Sequence, residues 1–202
     1  MNKRLFKTLA DHNYILVSGP QRSGTTFAAA ALAHSLERRF CPDEIIGQDE
    51  VTKLNVLIRS SPNFVLQCPA LFWCLDSFQD KDFPNTAVVV MKRSLTAINK
   101  SVARIDWDGA AEEIDRYRRR EEFREDDWQV SIEAYQEPRY AIGSFKYYFW
   151  DTYQKDRMQL PFYELDYNSL RWHPRWENKV NRKDFEPRQV SLQYKNAIEE
   201  NL

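Results

Sequence analysis

Glycine is scarce in this chain: five in 202 residues, against a usual ~7%. Glycine-rich linkers and low-complexity segments are therefore excluded, and two glycines close together mark a place where the backbone needs them. Cysteine is nearly as rare. Cys41, Cys68 and Cys74 are an odd number without C-x-x-C spacing, which supports neither a disulfide framework nor a zinc cluster. A reduced, cytoplasmic compartment is the expectation. Long apolar runs are missing too. The longest small-apolar stretch, residues 27–33, is far short of the ~20 needed to span a bilayer. The first residues, MNKRLFKTLADHN, contain no apolar core of the kind a secretory signal carries. An excess of either charge is also lacking. Lys+Arg 29 against Asp+Glu 30 leaves a net charge of -1, so no general basic field points to a nucleic-acid partner, and any anion site must be local.

What is present is the composition of a folded domain. The chain is 43% hydrophobic and 14% aromatic, which excludes a disordered polymer. Its 24.1 kDa suits one domain over 1–202, with a charged helical insertion around 106–140. Tyr14-Ile15-Leu16-Val17 is an unbroken apolar run of the kind that forms a strand buried on both faces. Phe64-Val65-Leu66, Ala87-Val88-Val89-Val90-Met91 and Phe162-Tyr163-Glu164-Leu165 predict three more strands. Helical periodicity covers residues 25–40, with Leu32, Leu36 and Phe40 four apart, and residues 94–105, with Leu95, Ile98, Val102 and Ile105 on one face. Residues 71–78 fit a crossover helix. Residues 116–125, RYRRREEFRE, mix both charges and predict a solvated helix face. Trp128, Ile132 and Tyr135 line the buried side of a further helix. Alternating strands and helices predict an α/β fold with a parallel sheet and right-handed crossovers.

Two of the five glycines, Gly19 and Gly24, bracket Pro20-Gln21-Arg22-Ser23 between the first strand and the first long helix. Strand, glycine-bracketed loop and helix follow one another as in a phosphate-binding βα unit. Residues 19–26 fit G-x-x-x-x-G-x-T, but Thr25 stands where a nucleoside triphosphatase has lysine. That lysine would span the β- and γ-phosphates, and a nearby acidic strand end would hold Mg²⁺. Here the strand at residues 87–91 runs into Lys92-Arg93, which is basic. Backbone N–H groups, the Thr25 and Thr26 hydroxyls and Arg22 suit instead a compact dianion bound without metal. A kinase with a displaced lysine is the alternative, as is a tight strand-to-helix turn in which Gly19 and Gly24 serve geometry only.

Pro20-Gln21-Arg22-Ser23-Gly24-Thr25-Thr26 resembles the 5′-phosphosulfate loop of sulfotransferases that use 3′-phosphoadenosine 5′-phosphosulfate (PAPS). A second signature of that family is an Arg at a strand end with a Ser eight residues later. Arg93 and Ser101 match it. The resemblance implies a sulfotransferase-like, three-layer P-loop-type parallel sheet flanked by helices. It also implies metal-free transfer of a sulfuryl group from PAPS to a hydroxyl or amine of a small-molecule, saccharide or lipid acceptor, leaving 3′-phosphoadenosine 5′-phosphate (PAP). Gly19, Gln21, Arg22, Ser23, Gly24, Thr25 and Thr26 would surround the 5′-phosphosulfate, and Arg93 with Ser101 the 3′-phosphate. Phe27 takes the place of an adenine-stacking aromatic, and Tyr167 in YNSLRWHP (167–174) that of a tyrosine near the adenine. Arg22 would stabilise charge on the bridging oxygen.

The chain also departs from the family pattern. Gln67 replaces a lysine that faces the sulfuryl group, Ser94-Leu95 stand where the Pro after Arg-x is usual, and Asn181-Arg182-Lys183-Asp184 keep only the basic pair of a closing loop. None of His12, His34 and His173 falls at the family's histidine place. Asp49, or alternatively Glu50, in Ile46-Gly47-Gln48-Asp49-Glu50 matches a carboxylate base used by one branch. A non-catalytic nucleotide-binding module is the third reading.

Overall fold

The computed structural model describes residues 2–42, 50–60, 63–173 and 176. Five strands, Tyr14–Ser18 (β1), Arg39–Cys41 (β2), Phe64–Gln67 (β3), Thr86–Lys92 (β4) and Phe162–Asp166 (β5), form one sheet in the order β2-β3-β1-β4-β5. Every pairing is parallel, with Ile15 opposite Val65 on one side and Ala87 on the other. The apolar runs follow from this position, since a central parallel strand has no wet face. Alternate residues feed two cores. Ile15, Val17, Val65, Val89 and Met91 pack with Ala28, Ala29 and Leu32 of Thr25–Ser35 (α2) and Phe6 and Leu9 of Asn2–Leu9 (α1). Leu16, Leu66, Val88 and Val90 pack on the opposite face with Leu54, Leu57 and Ile58 of Glu50–Ser60 (α3) and with Phe72 and Trp150. This is the expected three-layer α/β fold. No helix among the described residues is long and apolar enough to cross a membrane.

The chain leaves β1 toward the β2 edge and leaves β4 toward the β5 edge. The crevice at the carboxyl ends of β1 and β4 is therefore a topological switch point, where open α/β sheets bind ligands.

Three local expectations are corrected. The helix after the loop stops at Ser35 instead of continuing to residue 40, because Leu36 caps it and Glu37 turns left-handed at φ 52°. Phe40, four residues after Leu36, belongs to β2, paired with Val65. Residues 71–78 form two short 3₁₀ turns, within Pro69–Trp73 and Leu75–Ser77, and not an α-helix. Pro69 sets the first turn, and the Ser77 hydroxyl, 2.6 Å from the Cys74 carbonyl, ties the second.

The third correction concerns the charged run. Ala110–Arg118 (α5) ends inside it and Glu125–Tyr135 (α6) begins at its last residue, so 116–125 is not one solvated face. Arg118 bonds outward to Asp115 and Glu125. Arg120 turns inward, its two terminal nitrogens donating to both Asp76 oxygens at 2.7 and 2.5 Å. Gln154 donates to the same carboxylate at 3.1 Å. α5, α6 and Pro138–Phe149 (α7) enclose a third apolar cluster around Ile114, Tyr117, Trp128, Phe145 and Phe149. The Arg120–Asp76 pair fastens that cluster to the turns that follow β3.

Candidate functional site

The loop between β1 and α2 holds its shape with three left-handed residues, Gly19 (φ 145°), Arg22 (φ 66°) and Gly24 (φ 101°). Glycine is required at two of them. A Cβ on Gly19 would lie 3.0 Å from the Met91 carbonyl oxygen, and one on Gly24 would clash with the Cδ2–Cε2 edge of the Tyr167 ring. Ser23 N–H donates to the Pro20 carbonyl at 3.1 Å and closes the turn. Gly24 is the N-cap of α2 and offers no side chain to its first-turn N–H groups, which leaves that helix end suited to an anion. The Ser23 hydroxyl is fully buried at the turn without a hydrogen-bond partner. Such an atom costs free energy unless a ligand or water satisfies it. Thr25 is buried and Thr26 exposed on the first turn.

Arg93 and Ser101, 71 and 79 residues from Arg22, meet it at the loop. Arg93 follows β4, and its Nη1 donates to the Arg22 carbonyl at 2.8 Å. Ser101 lies on Leu95–Ile105 (α4), whose N-cap Ser94 accepts a bond from Ala97 N–H. Its nearly buried Oγ accepts from Arg22 Nε at 3.1 Å. Two guanidinium groups and one hydroxyl thus converge at the mouth of a turn that presents backbone donors. The Arg93 guanidinium also sits 4.5 Å over the Tyr167 ring. Tyr167 opens the 3₁₀ segment Tyr167–Trp172 after β5. Phe27 meets Tyr167 edge-on at 6.1 Å, and Trp176 lies 5.5 Å from Phe27 and 5.0 Å from Tyr167. The aromatic pair expected from sequence is brought to the loop with a third ring that sequence reasoning did not single out.

Gln21 points elsewhere. Its side-chain oxygen accepts from the Lys146 ammonium of α7, which also pairs with Glu113 of α5. Lys146 is 1% exposed and Glu113 6%. Burial pushes the Glu113 carboxyl up, but Lys146, Arg116 and a hydrogen bond from Gln21 outweigh it and hold the group below its ordinary range. Tyr147, the next residue of α7, accepts from Arg93 N–H at 2.9 Å and donates to the Met91 carbonyl at 3.0 Å. Burial pushes its phenol well above the ordinary value. Neither Lys146 nor Glu113 was singled out from sequence. The available signal was a lone cation within the aromatic run Phe145-Lys146-Tyr147-Tyr148-Phe149-Trp150.

Asp49 lies outside the described residues. Glu50 opens α3, and its side chain also lies outside them. The closing-loop echo at 181–184 and Pro174 lie outside as well. His173 is a buried partner of the Ser35 hydroxyl at 2.9 Å, away from the loop. β3 ends at Gln67 and β4 at Lys92, so neither strand beside β1 ends in a carboxylate. Among the described residues no group of three or more His, Cys, Asp or Glu is placed to hold a metal.

No family model matches the chain, and no curated protein matches it. Two solved structures are similar to it at the level of the backbone. The YorR protein of Bacillus subtilis, in complex with phosphorylated GDP, is 12% identical with a TM-score of 0.46, over 85% of this chain and 95% of that one. Shikimate kinase of Acinetobacter baumannii, in complex with shikimate, is 14% identical with a TM-score of 0.46, over 89% and 98%.

Proposed function

We propose that the chain binds an adenosine nucleotide carrying two separate anionic groups and transfers a sulfuryl group from PAPS to an acceptor hydroxyl or amine. The observation that carries this reading is the meeting of Arg93 and Ser101 with Arg22 at the mouth of the loop. The loop amides, the Ser23 hydroxyl and the α2 N-terminus suit the 5′-phosphosulfate. The planar fork of Arg93 and the Ser101 hydroxyl suit a 3′-phosphate, the group that separates PAPS from ATP. Tyr167, Phe27 and Trp176 offer rings for the base.

In the reaction the acceptor gives its proton to a base, an acceptor–sulfur bond forms, and the bond from sulfur to the 5′-phosphate oxygen breaks, releasing PAP. Arg22 is the residue whose charge opposes the negative charge growing on that leaving oxygen. Asp49 and Glu50 are the proposed bases.

One observation favours a second reading, metal-dependent phosphoryl transfer from ATP. Lys146 brings an ammonium to the loop from α7, where Thr25 replaces the usual lysine. Calorimetry with PAP, ATP and ATP–Mg²⁺ separates the two. Tighter binding of PAP without metal supports sulfuryl transfer, and tighter binding of ATP–Mg²⁺ replaces it with the kinase reading.

A further inference from the structure

The two halves of the site are held by neighbouring residues of a single helix. Lys146 reaches the loop after β1 through Gln21, and Tyr147 reaches the end of β4 through Met91 and Arg93. The Gln21 amide oxygen is held by the Lys146 ammonium, which also pairs with the Glu113 carboxylate. The ammonium and carboxylate are themselves buried and paired, with Arg116 bonded to the other Glu113 oxygen at 2.6 Å. A paired, buried charge resists displacement, because moving either partner leaves the other desolvated and alone. Gln21 is therefore fixed, and Arg22, the next residue, is held in a left-handed conformation at φ 66°. Arg22 is also the residue to which both Arg93 and Ser101 bond.

We infer that α7 is a brace across the β1–β4 crevice, and that Lys146 is a positioning residue setting the separation of the two anion grips. This goes further than the proposed donor and rests on it only for the identity of the ligand. A brace of this kind selects a molecule whose two anionic groups match that separation. It has little effect on one that fills a single grip. Preorganisation of this sort is worth most where two contacts must be made together.

Two substitutions sever the brace. Lys146→Met removes the ammonium, and Gln21→Ala cuts the link while leaving the buried Lys146–Glu113 pair intact, so it covers the case in which Lys146→Met does not fold. The first readout needs no ligand. Amide hydrogen exchange at residues 21–26 is expected to quicken about tenfold in either variant, with β1 and β4 unchanged, since local opening reports local constraint. The second readout is the preference for PAP over adenosine 5′-phosphate, which is expected to fall about tenfold because PAP loses more affinity than the monophosphate does. A purely structural role would weaken both nucleotides alike. Unchanged exchange in the folded Gln21→Ala protein overturns the brace whatever nucleotide the wild type prefers. Equal loss of the two nucleotides overturns it as well. A wild type that prefers ATP–Mg²⁺ removes the PAPS reading alone, and the exchange measurement still decides the brace.

Discussion

Gly24→Ala is the substitution with the most legible consequence. Gly24 holds φ at 101°, where a Cβ costs an L-residue roughly 1–2 kcal/mol. That Cβ would also clash with the Cδ2–Cε2 edge of the Tyr167 ring, and forced repacking of this kind costs typically about 1–3 kcal/mol. Together they give a loss of about 2–5 kcal/mol. For a domain of this size each kcal/mol lowers Tm by roughly 2–4 °C, so thermal unfolding should move down by about 4–20 °C. The ring displaced is the one that Arg93 covers at 4.5 Å, so nucleotide affinity should fall with stability. Gly143→Ala is the matched control, because a Cβ there meets Ile98 at an ordinary 3.4 Å within a helix. That variant should be neutral or slightly stabilised, since alanine is the better helix former. Differential scanning fluorimetry of both proteins decides the matter. A Gly24→Ala protein within about 2 °C of wild type would refute the packing of Tyr167 against the loop.

Other consequences can be read from the same contacts. Arg93→Ala should weaken PAP by about 2 kcal/mol, roughly thirtyfold, because a charge-assisted contact in a partly buried site is lost; isothermal calorimetry showing unchanged affinity would take Arg93 out of the site. Asp76→Ala removes the carboxylate that holds the Arg120 guanidinium at 2.5 Å and leaves Arg120 with Glu122 at 3.1 Å. Breaking a buried pair outright costs about 3–5 kcal/mol, so with one partner kept the loss should be at most about 3 kcal/mol, to be checked as a drop in the urea midpoint. Glu113 is depressed in the folded state, so its contribution is complete above the carboxyl's unfolded pKa and is lost as pH falls through the lower folded value. Wild type should therefore lose stability on acidification below that unfolded pKa more steeply than Glu113→Gln. Parallel curves in a pH-resolved unfolding series would show that the carboxylate is not held by Lys146.

Much of the architecture is written in local sequence. β1, β3 and β4 are unbroken apolar runs because both of their faces are covered, and that signal survives without any knowledge of their neighbours. The loop was legible because Gly19 and Gly24 stand out in a glycine-poor chain, and the structure shows the two close approaches that require them. Arg93 and Ser101 were legible only through the family resemblance, which pairs an Arg at a strand end with a Ser eight residues later. β2 was not: three residues, Arg39-Phe40-Cys41, are too few to carry a period, and Phe40 continued the four-residue spacing of the preceding helix. The inward turn of Arg120 was hidden because a charge within a run of charges reads as solvated until its partner, Asp76, is known to lie 44 residues away across the fold. Glu113 was hidden for the same reason, and Lys146, a lone cation in an aromatic run, gave no sign of its partner 33 residues away. Only their pairing makes the burial of either tolerable.

Two anion grips are proposed to share one nucleotide, and a crystal soaked with PAP tests that directly. The 5′-phosphate is expected on the amides of residues 23–26 with the Ser23 hydroxyl as a partner. The 3′-phosphate is expected within hydrogen-bonding distance of the Arg93 guanidinium and the Ser101 hydroxyl. A nucleotide bound with its 3′-phosphate in solvent, and Arg93 still on the Arg22 carbonyl alone, would contradict it.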